Sequence, residues 1–187
     1  AIASELEFIW VGDTLRHIGN VVHRLLQRVA TERLSQWNVA RLRASKPGIN
    51  RLLRQAGVPT SELEAATETV IRAVCNTLED DTGRLILSCQ DENAHCEYAL
   101  NGFVGSRLVT GVIDRTFVDN DGMRWIVDYK TSRHEGTDRA AFLQREAERY
   151  RPQLTRYASL MQAREARPIR VGLYFPLLGT FHGVELG

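Results

Sequence analysis

Asp114, Asp128 and Lys130 have the side chains best suited to chemistry in this chain, and they stand inside runs that otherwise favour strands. The stretch GVIDRTFVDNDGMRWIVDYKTS, residues 111–132, carries Asp114, then a tight turn, then a second run ending in Asp128-Tyr129-Lys130. Side chains alternate along a strand, so Val112 and Asp114 share one face, and Ile126, Asp128 and Lys130 share another. A turn near residues 119–122 sets Asp114 roughly opposite Asp128. Two carboxylates and one ammonium then converge. Carboxylates that close repel unless a proton or a divalent cation is shared between them. Hard oxygen ligands suit Mg²⁺ or Mn²⁺. Such an ion polarises a phosphoryl oxygen and lowers the pKa of a bound water. A neighbouring lysine can orient or activate that water and stabilise developing negative charge. The chemistry implied is metal-assisted hydrolysis of a phosphodiester. By spacing alone, the same residues serve equally as a surface cross-strand salt bridge of Asp114 or Asp128 with Lys130 or Arg115.

The choice of lysine is informative. Of 24 Lys+Arg, only Lys46 and Lys130 are lysines, so 22 are arginines. A chain that takes nearly all of its positive charge from arginine keeps a compact, tunable ammonium at 130.

The elements that must position these groups follow from pattern. Leu15, Ile18, Val22, Leu25, Leu26 and Val29 recur at helical spacing and predict a helix over 13–34, capped by Asp13 or Thr14. Residues 36–60 hold turn signals around a short helical piece. Ser61 with Glu64 reads as a capping box opening a helix to about Leu78. RLILSCQ, CEYALNGFV, SRLVTGVIDRTFV and MRWIVDYK read as strands, with Asp121-Gly122 supplying positive φ at the hairpin. A polar connection over 131–151 contains a helical stretch from Arg139. Pro152 suits the first turn of a helix running to about Arg164. IRVGLYFP and FHGVELG read as final strands. Helices, antiparallel strands, a helix and further strands predict an α/β fold built on a central mixed β-sheet flanked by helices. We read 1–187 as a single domain, with a helical N-terminal part about 1–80 and a catalytic sheet and helix about 83–187.

Composition sets the bounds. The 187 residues suffice for one domain with a sizeable core. The net charge of +1 gives no global basic signature, so a nucleic-acid partner needs a local patch. No apolar run approaches membrane-spanning length, and AIASELEFIW lacks a signal-peptide layout, so no membrane partner and a cytoplasmic location are expected. Cys75, Cys89 and Cys96 are odd in number and lack C-x-x-C spacing, which argues against a disulfide framework or a zinc ribbon.

GVIDR…WIVDYKTS closely resembles the nuclease motif of the RecB-type branch of the PD-(D/E)xK superfamily, the nuclease modules of bacterial recombination helicases. That motif reads G-x-[IV]-D-[RL], then D-[YF]-K-[TS] after a hairpin. Gly111, Asp114, Asp128, Lys130 and Thr131 fill its places. GNVVHRLLQ resembles the branch's G-x-x-[VIM]-H-x-x-L helix through Gly19 and His23, with the glycine leaving room above the imidazole one turn on. YRPQLTRYA resembles its Q-x-x-x-Y helix through Gln153 and Tyr157. The three motifs span residues 19 to about 160 in the family's order.

The resemblance implies a restriction-endonuclease-like core and a bacterial-type, metal-dependent DNA nuclease. The expected substrate is single-stranded DNA ends, cut as an exonuclease, with a helicase domain or subunit as partner in recombinational repair. A catalytically silent DNA-binding module is the alternative. His23, Asp114 and Asp128 would hold Mg²⁺ or Mn²⁺, the Tyr129 carbonyl would be a further ligand, and Lys130 would position water. Gln153 would contact the site or substrate backbone, and Tyr157 would help position DNA. Arg115 could bind phosphate. Glu97 is either a second acid of the site or a solvated strand-end acid. Arg133, Arg139, Arg145, Arg149, Arg151 and Arg156 form either a solvated helix face with Glu146 and Glu148 or a track for a DNA backbone. The cysteines do not match the four that bind an iron–sulfur cluster in some relatives, so no cluster is expected. No G-x-x-x-x-G-K-[ST] loop occurs, so ATP hydrolysis by this chain is not expected.

Overall fold

A computed structural model describes residues 2–132, 134 and 136–186. The elements run α1 (Ile2–Glu32), a 3₁₀ turn (Leu34–Gln36), α2 (Val39–Ala44), α3 (Lys46–Ala56), α4 (Leu63–Glu79) and α5 (Asp81–Ser88). They continue with β1 (His95–Val104), β2 (Arg107–Val118), β3 (Arg124–Tyr129), α6 (Arg139–Gln162), β4 (Ile169–Phe175) and β5 (Thr180–Gly183). The five strands lie in sequence order in one sheet. Only β3 and β4 are parallel, joined through α6; the other neighbours are antiparallel. The expected mixed sheet flanked by helices, with a helical N-terminal part, is therefore present. No helix among the described residues is long and apolar enough to cross a membrane.

Two cores sandwich the sheet. Phe117, Trp125, Val127, Tyr129 and Tyr174 face the bundle of α1–α5. Leu100, Ile113, Ile126, Leu173 and Phe175 face α6. β3 is buried along its whole length, as a central strand covered on both faces should be.

Several local expectations need correction. α1 starts at Ile2, so Asp13 and Thr14 lie inside it, and Asp13 pairs with Arg16 at 3.1 Å instead of capping. Residues 39–56 form two helices that meet at Ser45. The Ser61–Glu64 capping box is absent: α4 has Glu62 at its N-cap with no side-chain cap, and Glu64 binds Lys46 at 2.6 Å.

RLILSCQ falls largely in α5, not in a strand. Asp80 caps that helix by accepting from Gly83 N at 2.7 Å, and Gly83, Ile86 and Leu87 form its buried face at helical spacing. A Cβ at Gly83 would lie 2.5 Å from Thr77 O and Tyr174 Oη, so the glycine lets α5 sit against α4 and β4. Pro152 lies inside one continuous α6 and does not open a helix. Its missing N–H leaves the Glu148 carbonyl without its helical donor. Of the residues at the β2–β3 hairpin, only Gly122 has positive φ, at 79°.

Candidate metal centre and active site

The register of β2 on β3 runs from Val118↔Arg124 to Arg115↔Val127. Continued one step, it sets Asp114 opposite Asp128. Regular pairing stops there because the Asp114 side chain takes over: its Oδ2 accepts from Tyr129 N at 2.7 Å. The carboxylate is thereby locked at the end of the central strand.

Both strands of the β1–β2 pair change face at this level. Cys96 packs against the helical-bundle core and Tyr98 against the α6 core, although they are two residues apart on one strand. On β2, Ile113 joins the α6 core, while Arg115 turns towards α5. Residues two apart on a regular strand share a face. The break falls at Glu97, which has a left-handed φ of 49°, and at Asp114, which lies between the partners of Cys96 and Tyr98. Non-glycine residues pay for that conformation with strain of order 1–3 kcal/mol. Here the break brings the Glu97 carboxylate to the site.

His23 enters from α1. One ligand atom each from His23, Glu97 and Asp114 lie within 4.8 Å of one another. His23 Nε2 is 3.0 Å from the Tyr129 carbonyl oxygen, and Nδ1 is 3.6 Å from Asp114 Oδ2. A proton on Nε2 satisfies the carbonyl and leaves the Nδ1 lone pair facing a carboxylate oxygen. Two such acceptors repel across that gap unless a cation or a proton joins them. Burial lowers the His23 pKa, which favours the neutral imidazole that ligates metals. Burial, followed by repulsion from Asp128, pushes Asp114 up to about 7. These donors fit a hard divalent cation: two carboxylates and one imidazole, with Asp114 unfavourable as a bare charge.

Asp128 and Lys130 form the adjoining half. Asp128 is 3 % exposed at the end of β3. Lys130 Nζ lies 2.5 Å from its Oδ2, but that oxygen has no aligned hydrogen bond, so the contact is an ion pair of poor hydrogen-bond geometry. Burial is the strongest single influence and works against the Lys130 ammonium, yet Asp128, with smaller help from Tyr150 and Asp114, outweighs it and holds the lysine above its ordinary range. On its other side, Nζ lies 3.9 Å from the centroid of the Tyr150 ring, a cation–π contact. Tyr150 is not among the residues that the motifs single out. The available signal was spacing: Tyr150, Gln153 and Tyr157 fall at i, i+3 and i+7 on α6.

Gln153 is brought to the site. Its Nε2 donates to Tyr157 Oη at 2.7 Å and makes a long contact of 3.5 Å with Asp128 Oδ1. Tyr157 is not presented to solvent; it is buried against Gly111, where a Cβ would lie 2.4 Å from Cε1 of its ring. Gly111 is therefore small because Tyr157 packs over it. Gly19 likewise does not serve the imidazole. A Cβ there would lie 2.7 Å from Thr131 Oγ1, so the glycine lets α1 close onto the strand end carrying Lys130.

Arg115 is not brought to the site. It is 2 % exposed, and its guanidinium donates to the Ile86 and Cys89 carbonyls under α5, which leaves it unavailable to phosphate. Arg139 bonds Leu178 O and Thr180, Arg149 approaches Glu146, and Arg151 pairs with Glu148. Arg145 and Arg156 are exposed, and neither forms an ion pair among the described residues. Arg133 lies outside the described residues.

With this geometry in hand, comparison with known proteins is specific. The family model described as the PD-(D/E)XK nuclease superfamily matches residues 10–181, a span that takes in every residue of the cluster. A search of curated proteins found no match.

Proposed function

The chain belongs to the PD-(D/E)XK nuclease superfamily, and from that premise we propose that it is a Mg²⁺- or Mn²⁺-dependent deoxyribonuclease. The observation that carries this reading is the convergence of His23, Glu97 and Asp114 within 4.8 Å, beside the Asp128–Lys130 pair. His23, Asp114 and Asp128 hold the cation, Glu97 completes the acidic side, and the Tyr129 carbonyl is the further oxygen donor. When bound, a divalent cation there supplies positive charge to a phosphoryl oxygen and acidifies water.

The protein groups do the positioning. Tyr129 N fixes the orientation of the Asp114 carboxylate. Asp128 and the Tyr150 ring together aim the Lys130 ammonium into the site, where it orients the attacking water and meets negative charge as it develops. Gln153 steadies Asp128 and is itself steadied by the Tyr157 hydroxyl.

The finer reading is a RecB-type exonuclease acting on single-stranded DNA ends, as the nuclease module of a helicase–nuclease in recombinational repair. Its support is the motif set of Gly19 and His23, Gly111 and Asp114, Asp128 to Thr131, and Gln153 and Tyr157. The test is cleavage of end-labelled single- and double-stranded DNA with Mg²⁺ or Mn²⁺. Asp128→Ala and Lys130→Ala should each abolish cutting. Undiminished cutting by both variants overturns the assignment, and DNA binding without cleavage under every metal condition points to a silent binding module.

A further inference from the structure

The exposed face of the β1–β2 hairpin runs directly into the acidic cluster. On its other face, α6 covers the hairpin: Leu160 sits against Gly102 and Tyr157 against Gly111. Among the described residues, nothing covers the face away from α6. It carries the cross-strand pairs Phe103↔Leu108, Asn101↔Thr110 and Ala99↔Val112. Phe103 is 71 % exposed, Leu108 60 % and Val112 44 %. Two residues further along the same two strands stand Glu97 and Asp114. At roughly 3.3 Å per residue, Phe103 lies about 20 Å of strand from Glu97.

Electrostatics along this strip favour a polyanion. Residues 98–113 contain no Asp or Glu. Among the described residues, the part of β2 before Arg115 has no partner on its β3 side, so its outer half presents a free edge. A groove of about 390 Å³ follows that region, lined by Arg107, Leu108, Val109 and Arg156. Among the described residues, neither Arg107 nor Arg156 forms an ion pair, unlike Arg149 and Arg151 on the same α6.

We propose that this hairpin binds a single nucleic-acid strand along the free edge of β2, with bases stacked on Phe103 and Leu108 on the bare face and phosphates drawn over the edge to Arg107 and Arg156, which line the groove on its α6 side. The proposal rests on the nuclease reading, because the strip leads to the carboxylates that would hold the scissile phosphate. An exposed aromatic ring with basic side chains beside it is a means by which proteins hold single strands without reading sequence.

The test is fluorescence anisotropy of the full chain with labelled oligothymidylate in EDTA, so that binding is measured without cleavage. Phe103→Ala should weaken binding roughly tenfold, and Phe103→Trp should retain it. Arg107→Ala and Arg156→Ala should each lower the slope of log affinity against log salt by about 0.7. Leu85→Ala, an exposed apolar residue on α5, should bind as wild type. All these positions are exposed, and melting curves check that each variant folds. Unchanged affinity in Phe103→Ala and Leu108→Ala overturns the platform and leaves the face to a protein partner. Hydrolysis of a minimal phosphodiester by the wild type with Mn²⁺ is measured separately. Its absence sinks the nuclease reading, whereas the metal-free binding result decides the platform.

Discussion

Lys130 is held by two neighbours of different kinds, a carboxylate at 2.5 Å and an aromatic ring at 3.9 Å. A guanidinium is broader, planar and more weakly hydrated, and it cannot put one compact charge at that point. Lys130→Arg should therefore fold but lose roughly 10²–10⁴-fold in kcat, the usual worth of a positioned acid–base group. Single-turnover cleavage measures it, and activity within a few-fold of wild type would assign Lys130 a merely electrostatic role. Asp114 yields a pH prediction. Its folded value, about 7, lies above that of an unfolded aspartate, so folding favours its protonated form. The metal-free protein should be most stable below the unfolded range and lose stability as pH rises through about 4 to 7. Asp114→Asn should flatten that loss in EDTA melting curves; an unchanged pH slope contradicts the burial argument. The nearness of Asp114, Asp128 and Lys130 was legible in strand alternation and hairpin position, and that of His23 in the motif resemblance. The fate of Arg115 was not. Alternation put it on the far face from Asp114, but nothing in sequence announced two carbonyls waiting under α5.

At the scale of elements, α6 is the clamp that holds the site. Tyr157 packs over Gly111 and Gln153 reaches Asp128, so packing at one strand residue is linked to the orientation of the Asp128 carboxylate. Gly111→Ala should force the buried ring aside, at a cost of about 1–3 kcal/mol for overpacking, and lower activity more than Tyr157→Phe does. The phenylalanine keeps the packing and loses one hydrogen bond, worth about 1 kcal/mol. Denaturant melts and cleavage rates on both variants check this, and equal activities would uncouple the ring from the site. The strands from Cys96 onwards were legible because β-branched and aromatic runs are bounded by turn residues. RLILSCQ was not, since its apolar run suits a strand or a helix, and the deciding facts were the Asp80 cap and the Gly83 contacts. Pro152 misled for a related reason. Pro favours a helix start in general, but here tertiary packing on both sides of it holds one continuous helix. The break in alternation at Glu97 left no sequence signal, because its left-handed φ is imposed on an ordinary glutamate.

Across the whole molecule, the sheet brings groups from distant parts of the chain to one place: His23 from α1, Glu97 from β1, Asp114 from β2, and Asp128 and Lys130 from the end of β3. A cation bridging these elements should stabilise the assembled fold as any ligand of the native state does. At one hundred times its dissociation constant the gain is about 2.7 kcal/mol. Adding Mn²⁺ should raise the melting temperature of the wild type, chelator should reverse it, and Asp114→Ala should show neither effect. A rise retained in that variant would place the binding elsewhere. The net charge of +1 concealed any nucleic-acid signal at this scale, because 24 Lys+Arg are matched by 23 Asp+Glu over the whole chain. The most direct test of the central claim is a crystal structure with Mn²⁺, read by the metal's anomalous signal. The account predicts a peak bound by Asp114 and Asp128, with His23 and Glu97 beside it and Lys130 facing the open side. An ordered peak outside this cluster, or none at saturating Mn²⁺, would contradict it.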